Sequence, residues 1–397
     1  MRLMNQVALL PYYLLALASA IGLSSQIFFI DIEGFQFYAC FFVYIGLLLH
    51  AQPAFVSIKF SSILTSFWIF LLFCLIPFIT IKSIFFYSQV YSQIIFKLII
   101  LALLSTLIAF SLKKSSSFGT LTFLAKCLDI AIMILALFGI FQMFSCLTGN
   151  IDNATFLHNL FENSKYGGPV DYRGGYVRVS SLTWEPGYLT PVSTIIFAAR
   201  CILSIVYKID KISVLSVLFY SFCMVLSGSQ ITILTGFAWL LCFTFKRNRY
   251  FLIVSLFLLN GYDIFMSFYP PFLDLIIESS RFDLITKWLS SGGVYSALFG
   301  FSPDLLTKFF SFGGSILYIS GIFGLAAYTI FIVLFCSRLN IKILPFFIVV
   351  LVSVSPWSPW TFWPTLPLFF GLIIASNEFI GSPYTHYHVT RPHIDLS

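Results

Sequence analysis

The chain is a succession of apolar runs broken by two long polar stretches, near 148–187 and 268–312. This pattern constrains the fold more than any other feature. A run of about 20 apolar residues is long enough to cross a bilayer core as a helix. Hydrocarbon solvates neither guanidinium nor carboxylate, so the polar stretches are expected outside it. The first stretch carries Arg173, Arg178 and Glu185 close together, beside glycines and just ahead of the next apolar run. Two polar stretches on a membrane-embedded body point to a site at a membrane surface.

Composition agrees. The chain is 59% hydrophobic and 9% charged, against about 25% charged in soluble domains. The expected fold is therefore all-α: a polytopic integral membrane protein with the lipid bilayer as its first partner. A net charge of +7 would suggest nucleic acid in a soluble protein. Here it reads as basic residues collecting in cytoplasm-facing loops, and no nucleic-acid partner is expected. The eight cysteines lie in or beside apolar runs and away from the polar stretches. That argues against a disulfide framework or a zinc cluster, so no metal and no cofactor are expected. The apolar N-terminus follows Arg2 and shows no small-residue cleavage site, so it reads as a retained first span.

Twelve runs are candidate spans: 7–27, 35–51, 62–81, 94–112, 127–147, 188–207, 211–226, 229–245, 249–267, 313–336, 341–356 and 360–380. This gives about 12 transmembrane helices in one domain, 1–381, followed by a polar tail, 382–397. The pair around Ser227-Gly228-Ser229-Gln230 could instead be one broken helix, which would invert everything after it. Charge decides against that. With twelve spans and a cytoplasmic N-terminus, every short inside loop is basic, including Lys113, Lys114, Lys208, Lys211, Lys246, Arg247, Arg249, Arg338 and Lys342. This satisfies the positive-inside rule and places both termini inside and both polar stretches outside. The three histidines of the tail read as part of a solvated segment.

Several residues could carry chemistry. Arg178 has the planar, permanently charged fork that suits phosphate or pyrophosphate. Glu185 precedes Pro186, a residue suited to a helix's first turn, and a carboxylate there could take a proton from a sugar hydroxyl. Equally, Arg178 and Glu185 could form an ordinary interfacial ion pair, with Trp184 as an aromatic-belt anchor. The run Tyr166 to Arg178 alternates glycines, aromatics and charges, among them Asp171, Tyr172 and Arg173. It reads either as a surface for sugar rings and anions or as a loop with turn glycines. In the second stretch, Arg281 and Trp288 share a face if the segment is helical. Asp283 and Lys287 could pair four apart, and a surface-lying amphipathic helix explains the same pattern. Arg200 lies deep in the sixth run, where a cation is costly and marks a functional position unless it snorkels.

Together these residues resemble the bacterial Wzy-type polysaccharide polymerases, of the O-antigen polymerase and ligase superfamily. The likeness covers most of the chain in architecture and sharpens at Arg178 to Pro186, at Arg281 to Trp288 with Gly300, and at Gly313 to Gly324. It implies a glycosyltransferase of the bacterial cytoplasmic membrane that joins undecaprenyl-pyrophosphate-linked oligosaccharides at the outer face. Arg178 and Arg281 would stabilise the leaving diphosphate and Glu185 would act as base. Arg173, Asp171, Tyr172, Trp184, Asp283, Lys287, Trp288 and Arg200 would bind substrate. A chain-length regulator and a flippase are the further partners it brings into view. This chain departs from the resemblance at Gln230, where many relatives carry arginine. It also has no histidine in 312–315, where the ligase branch carries one, which favours polymerase over ligase. A flippase or other transporter is the reading from a different class, with Arg200 as its supporting charge.

Overall fold

A computed structural model describes residues 20–23, 29–32, 35–38, 89–114, 118–160, 170–173, 176–183, 186–268, 298, 312–355 and 365–381. These residues are mostly helical. The helices are α1 (Gln89–Lys114), α2 (Phe118–Leu147), α3 (Ile151–Leu160), α4 (Pro186–Val206), α5 (Val214–Ser227), α6 (Gln230–Thr244), α7 (Arg249–Phe268), α8 (Phe312–Arg338), α9 (Leu344–Val354) and α10 (Leu366–Gly381). Two antiparallel hairpins accompany them: β1 (Phe29–Ile32) with β2 (Phe35–Tyr38), and β3 (Val170–Arg173) with β4 (Tyr176–Val179).

From the fourth candidate onward, each expected apolar run is a helix. The second, expected at 35–51, begins instead as strand β2; alternation of Phe35 and Phe37 with Gln36 between them suits a pleat as well as a helix. The first and third candidates lie largely outside the described residues, as does the tail. Two helices, over Leu121–Leu147 and Pro186–Val206, are long and apolar enough to cross a membrane by length and composition. The other apolar stretches are shorter; α5, at 14 residues, is only about 21 Å long, less than the roughly 30 Å of a bilayer core.

Helix α4 forms the centre. It packs against α2, α5, α9 and α10 and is buried along nearly its whole length, from Pro186 to Val206. Helix α10 lies along α1, brought close by Gly371, whose position leaves no room for a Cβ against Ile108 and the Ser105 carbonyl. The outward faces are apolar: Leu137, Phe141 and Phe144 on α2, Leu218 and Phe222 on α5, and Phe237, Leu240 and Phe243 on α6 are all exposed. An apolar outer surface of that extent marks a membrane or a protein partner.

The break at Gly228 reverses the chain. Gly228 takes the left-handed conformation (φ 52°) that ends α5. The Trp239 indole then donates to the Tyr220 hydroxyl at 2.8 Å. One continuous rod would hold those two residues roughly 28 Å apart, so α5 and α6 form an antiparallel pair rather than one broken span.

The helix ends sort by charge. Arg249, opening α7, donates to the carbonyls of Ser337 and Leu339 at the end of α8. The Asn340 amide donates to the Asn377 side chain near the end of α10, and Tyr207 after α4 packs on Phe379. Cys242 of α6 reaches the Pro345 carbonyl of α9. One end of the bundle therefore gathers Lys208, Lys211, Lys246, Arg247, Arg249, Arg338 and Lys342. The described residues of the first polar stretch lie at the opposite end.

Candidate functional site

The site is built where the first polar stretch meets the bundle. Strands β3 and β4 pair with Asp171 opposite Arg178 and Arg173 opposite Tyr176; Gly174-Gly175 between them is a dipeptide suited to a tight reversal. From Arg178 the chain turns inward. Arg178 is only 9% exposed, and Val179, Ser180, Ser181 and Thr183 are fully buried. Residues 178–183 pack against α2 and the end of α5. A Cβ on Gly139 of α2 would lie 3.6 Å from the Ser181 Cβ and 3.8 Å from Val179. Gly139 to Leu147 is roughly 12 Å of helix, so the segment reaches well below the end of α2.

Buried irregular backbone needs its polar groups satisfied by protein, and here helices do so. The Ser181 hydroxyl donates to the Leu135 carbonyl at 2.6 Å, and the Ser181 amide donates to the Gln142 side chain at 2.7 Å. Gln142, fully buried, also donates to the Ala154 carbonyl of α3 at 3.0 Å. Thr183 closes the turn onto the Ser180 carbonyl.

Arg178 has a built seat. Its Nε donates to the Ser227 carbonyl at 3.0 Å, and one terminal nitrogen contacts Asp171 Oδ2 at 3.0 Å. Its stem lies on Gly228, where a Cβ would come within 3.0 Å of Arg178 Cγ. The last carbonyls of α5 carry partial negative charge, which suits a guanidinium. Ser227 also donates through its hydroxyl to the Pro186 carbonyl. The electropositive N-terminus of α4 and the Arg178 fork thus stand on either side of Ser227. A fixed cation beside a helix N-terminus is a combination that receives anions.

The other candidates divide. Asp171 is half-buried and serves as Arg178's carboxylate partner; this is an ion pair across the hairpin, in addition to whatever Glu185 does. Tyr172 is exposed; desolvation, and then the neighbouring Cys146 thiol with which it hydrogen-bonds, push its phenol upward. Arg173 ends β3. Trp184, Glu185, Arg281, Asp283, Lys287 and Trp288 lie outside the described residues. Arg200 is not brought to Arg178. It sits toward the basic end, roughly 21 Å of helix from Pro186, with Nε 2.9 Å from Asp129 Oδ2 and its terminal nitrogens on the Asp210 carbonyl. Asp129 also accepts from Ser216 at 2.8 Å.

Sequence reading missed Asp129, Gln142, Ser181 and Ser227-Gly228. A signal for the first existed: a charge deep in an apolar helix calls for a partner, and Asp129 was the acid available in the neighbouring run. The described cysteines are buried and unbridged, and among the described residues no three His, Cys, Asp or Glu side chains gather. Comparison with family models, with curated proteins and with solved structures finds no match to this chain.

Proposed function

We propose that the chain is a polysaccharide repeat-unit polymerase, a glycosyltransferase that joins undecaprenyl-pyrophosphate-linked oligosaccharides at the outer face of a bacterial cytoplasmic membrane. About twelve spans carry it, with both termini inside. The observation that carries the reading is the seat of Arg178. A buried guanidinium stands beside the N-terminus of α4, at the end of the bundle opposite the basic one. The resemblance in Arg178 to Pro186 and Arg281 to Trp288 supports the same reading.

In this mechanism the diphosphate of the lipid-borne growing chain docks against Arg178, with Arg281 and Arg173 completing the cationic lining. A hydroxyl of the incoming unit attacks the anomeric carbon of the growing chain. The carbon–oxygen bond to the diphosphate breaks, and the diphosphate leaves with the bonding pair, stabilised by the guanidinium groups. Glu185 takes the hydroxyl proton. Trp184, Trp288 and Tyr172 offer faces for sugar rings; Asp171, Asp283 and Lys287 hold polar groups at the rim. A flippase and a chain-length regulator would act beside it.

The transporter reading drew on Arg200 as a deep cation. Arg200 is engaged by Asp129 and the Asp210 carbonyl, an arrangement that joins helices, so that observation no longer favours it. The test is chromosomal replacement of Arg178 or Arg281 by alanine, followed by electrophoresis of surface polysaccharide. Long-chain polymer is expected to vanish while the protein level stays constant; normal chain-length ladders in both strains overturn the proposal.

A further inference from the structure

The buried side-chain amide of Gln142 ties α2 to both sides of the Arg178 segment. Its NH2 donates to the Ala154 carbonyl of α3 at 3.0 Å, and its oxygen accepts from the Ser181 amide at 2.7 Å. Ser181 has φ 55°, a left-handed conformation that costs a residue with a Cβ about 1 kcal/mol or more. Such a conformation persists only where the surroundings over-determine it. Here Gln142 holds the Ser181 amide while Leu135 holds its hydroxyl. Arg178 lies on the same short buried segment, so the left-handed turn at Ser181 fixes where β4 enters the bundle. That entry point decides whether the guanidinium meets the Ser227 carbonyl.

From this we infer that Gln142 is a positioning residue for Arg178, holding the guanidinium in place for a lipid-borne diphosphate through the backbone of Ser181. The inference rests on the reading of Arg178 as the diphosphate-binding group. The chemistry is specific to an amide. The position needs a donor toward one carbonyl and an acceptor toward one N–H. Glutamate would set a second acceptor against Ala154, and methionine would fill the space with neither group.

The test uses the full-length protein in nanodiscs, with sugar-free undecaprenyl pyrophosphate as the probe, and reads its dissociation constant together with the thermal unfolding midpoint. Gln142→Ala is expected to weaken probe binding on the order of tenfold, the size of one buried unpaired amide. Arg178→Ala is expected to weaken it at least as much. The double variant should bind no more weakly than Arg178→Ala alone, although it unfolds at a lower temperature, because Gln142 acts on the ligand only through Arg178. Should Gln142→Ala fail to accumulate, Gln142→Met, which keeps the volume and drops both hydrogen bonds, carries the same expectation. Unchanged binding in the Gln142 variant, or losses that multiply in the double variant, overturns the positioning role and leaves the Arg178 reading standing. Unchanged binding in Arg178→Ala overturns the diphosphate reading, and the positioning role with it.

Discussion

Arg178 and Arg200 are both buried, and each contacts a carboxylate and a backbone carbonyl. Their surroundings give them different work. Arg178 rests on a helix C-terminus beside a helix N-terminus and a polar hairpin, the setting in which the proposed diphosphate would dock. Arginine is needed there because its nitrogens point in fixed, divergent directions, whereas lysine offers one point charge. Arg178→Lys is therefore expected to lose long-chain polymer almost as completely as Arg178→Ala, with normal protein abundance on immunoblots. Arg200 instead stitches α4 to α2 and to the segment before α5, so its loss is expected in stability. Arg200→Ala leaves Asp129 without its countercharge and should destabilise the protein by about 3 kcal/mol, read as a lower unfolding midpoint in detergent. Replacing the pair together, as Asp129→Leu with Arg200→Met, should recover part of that loss, since matched apolar groups cost less than a lone buried charge. The sequence displayed Arg178 and Arg200 as charges out of place. It did not display their partners, because Asp129 and Gln142 each look like one polar residue tolerated in an apolar run. A backbone carbonyl such as that of Ser227 carries no sequence signal at all.

At the scale of elements, hydrophobic runs located α1, α2 and α4 to α10, because burial or lipid exposure on all sides writes the same continuous apolar text; α3 lies in the first polar stretch and had no such signal. The burial of residues 178–183 was not legible for the complementary reason. Polarity says only that a segment needs hydrogen-bonding partners, and water and helix carbonyls supply them equally well. The same ambiguity hid the hairpin geometry at Ser227-Gly228-Ser229, where charge counting rather than local sequence separated two helices from one. Two glycines make these packing arrangements testable. Gly228→Ala adds a Cβ at φ 52° and within 3.0 Å of Arg178 Cγ. It should cost about 1–2 kcal/mol of stability from the backbone alone and shorten polymer chains by displacing Arg178. Gly371→Ala would press on Ile108 at 2.6 Å and on the Ser105 carbonyl at 3.0 Å. Overpacking of this kind costs about 1–3 kcal/mol. Because α1 and α10 lie away from Arg178's seat, the unfolding midpoint should fall while chain lengths in surviving protein stay normal. Comparing the two variants by thermal unfolding and polysaccharide electrophoresis separates a loss of packing from a loss of site geometry.

At the scale of the whole molecule, charge is divided between the two ends of one bundle. The basic end joins the finish of α4, α6 and α8 to the start of α5, α7 and α9, with the finish of α10 beside them, and it gathers cations from those three connections. Electroneutrality within the protein does not require such clustering; the proposed membrane setting, with one face that retains positive loops, accounts for it. The hairpin end carries Arg178 in a paired, buried form, which the same rule permits because a neutralised arginine is no longer a loop charge seeking the retained face. In the proposed topology the two ends face different compartments. A reporter enzyme active only outside the cytoplasm, fused after Arg249, should be silent, and the same reporter fused after Asn150 should be active. A fluorescent protein that matures only in the cytoplasm should give the inverse pattern. External activity of the fusion after Arg249 would turn the bundle over, place Arg178 on the inner face, and remove the lipid-linked substrate from its reach.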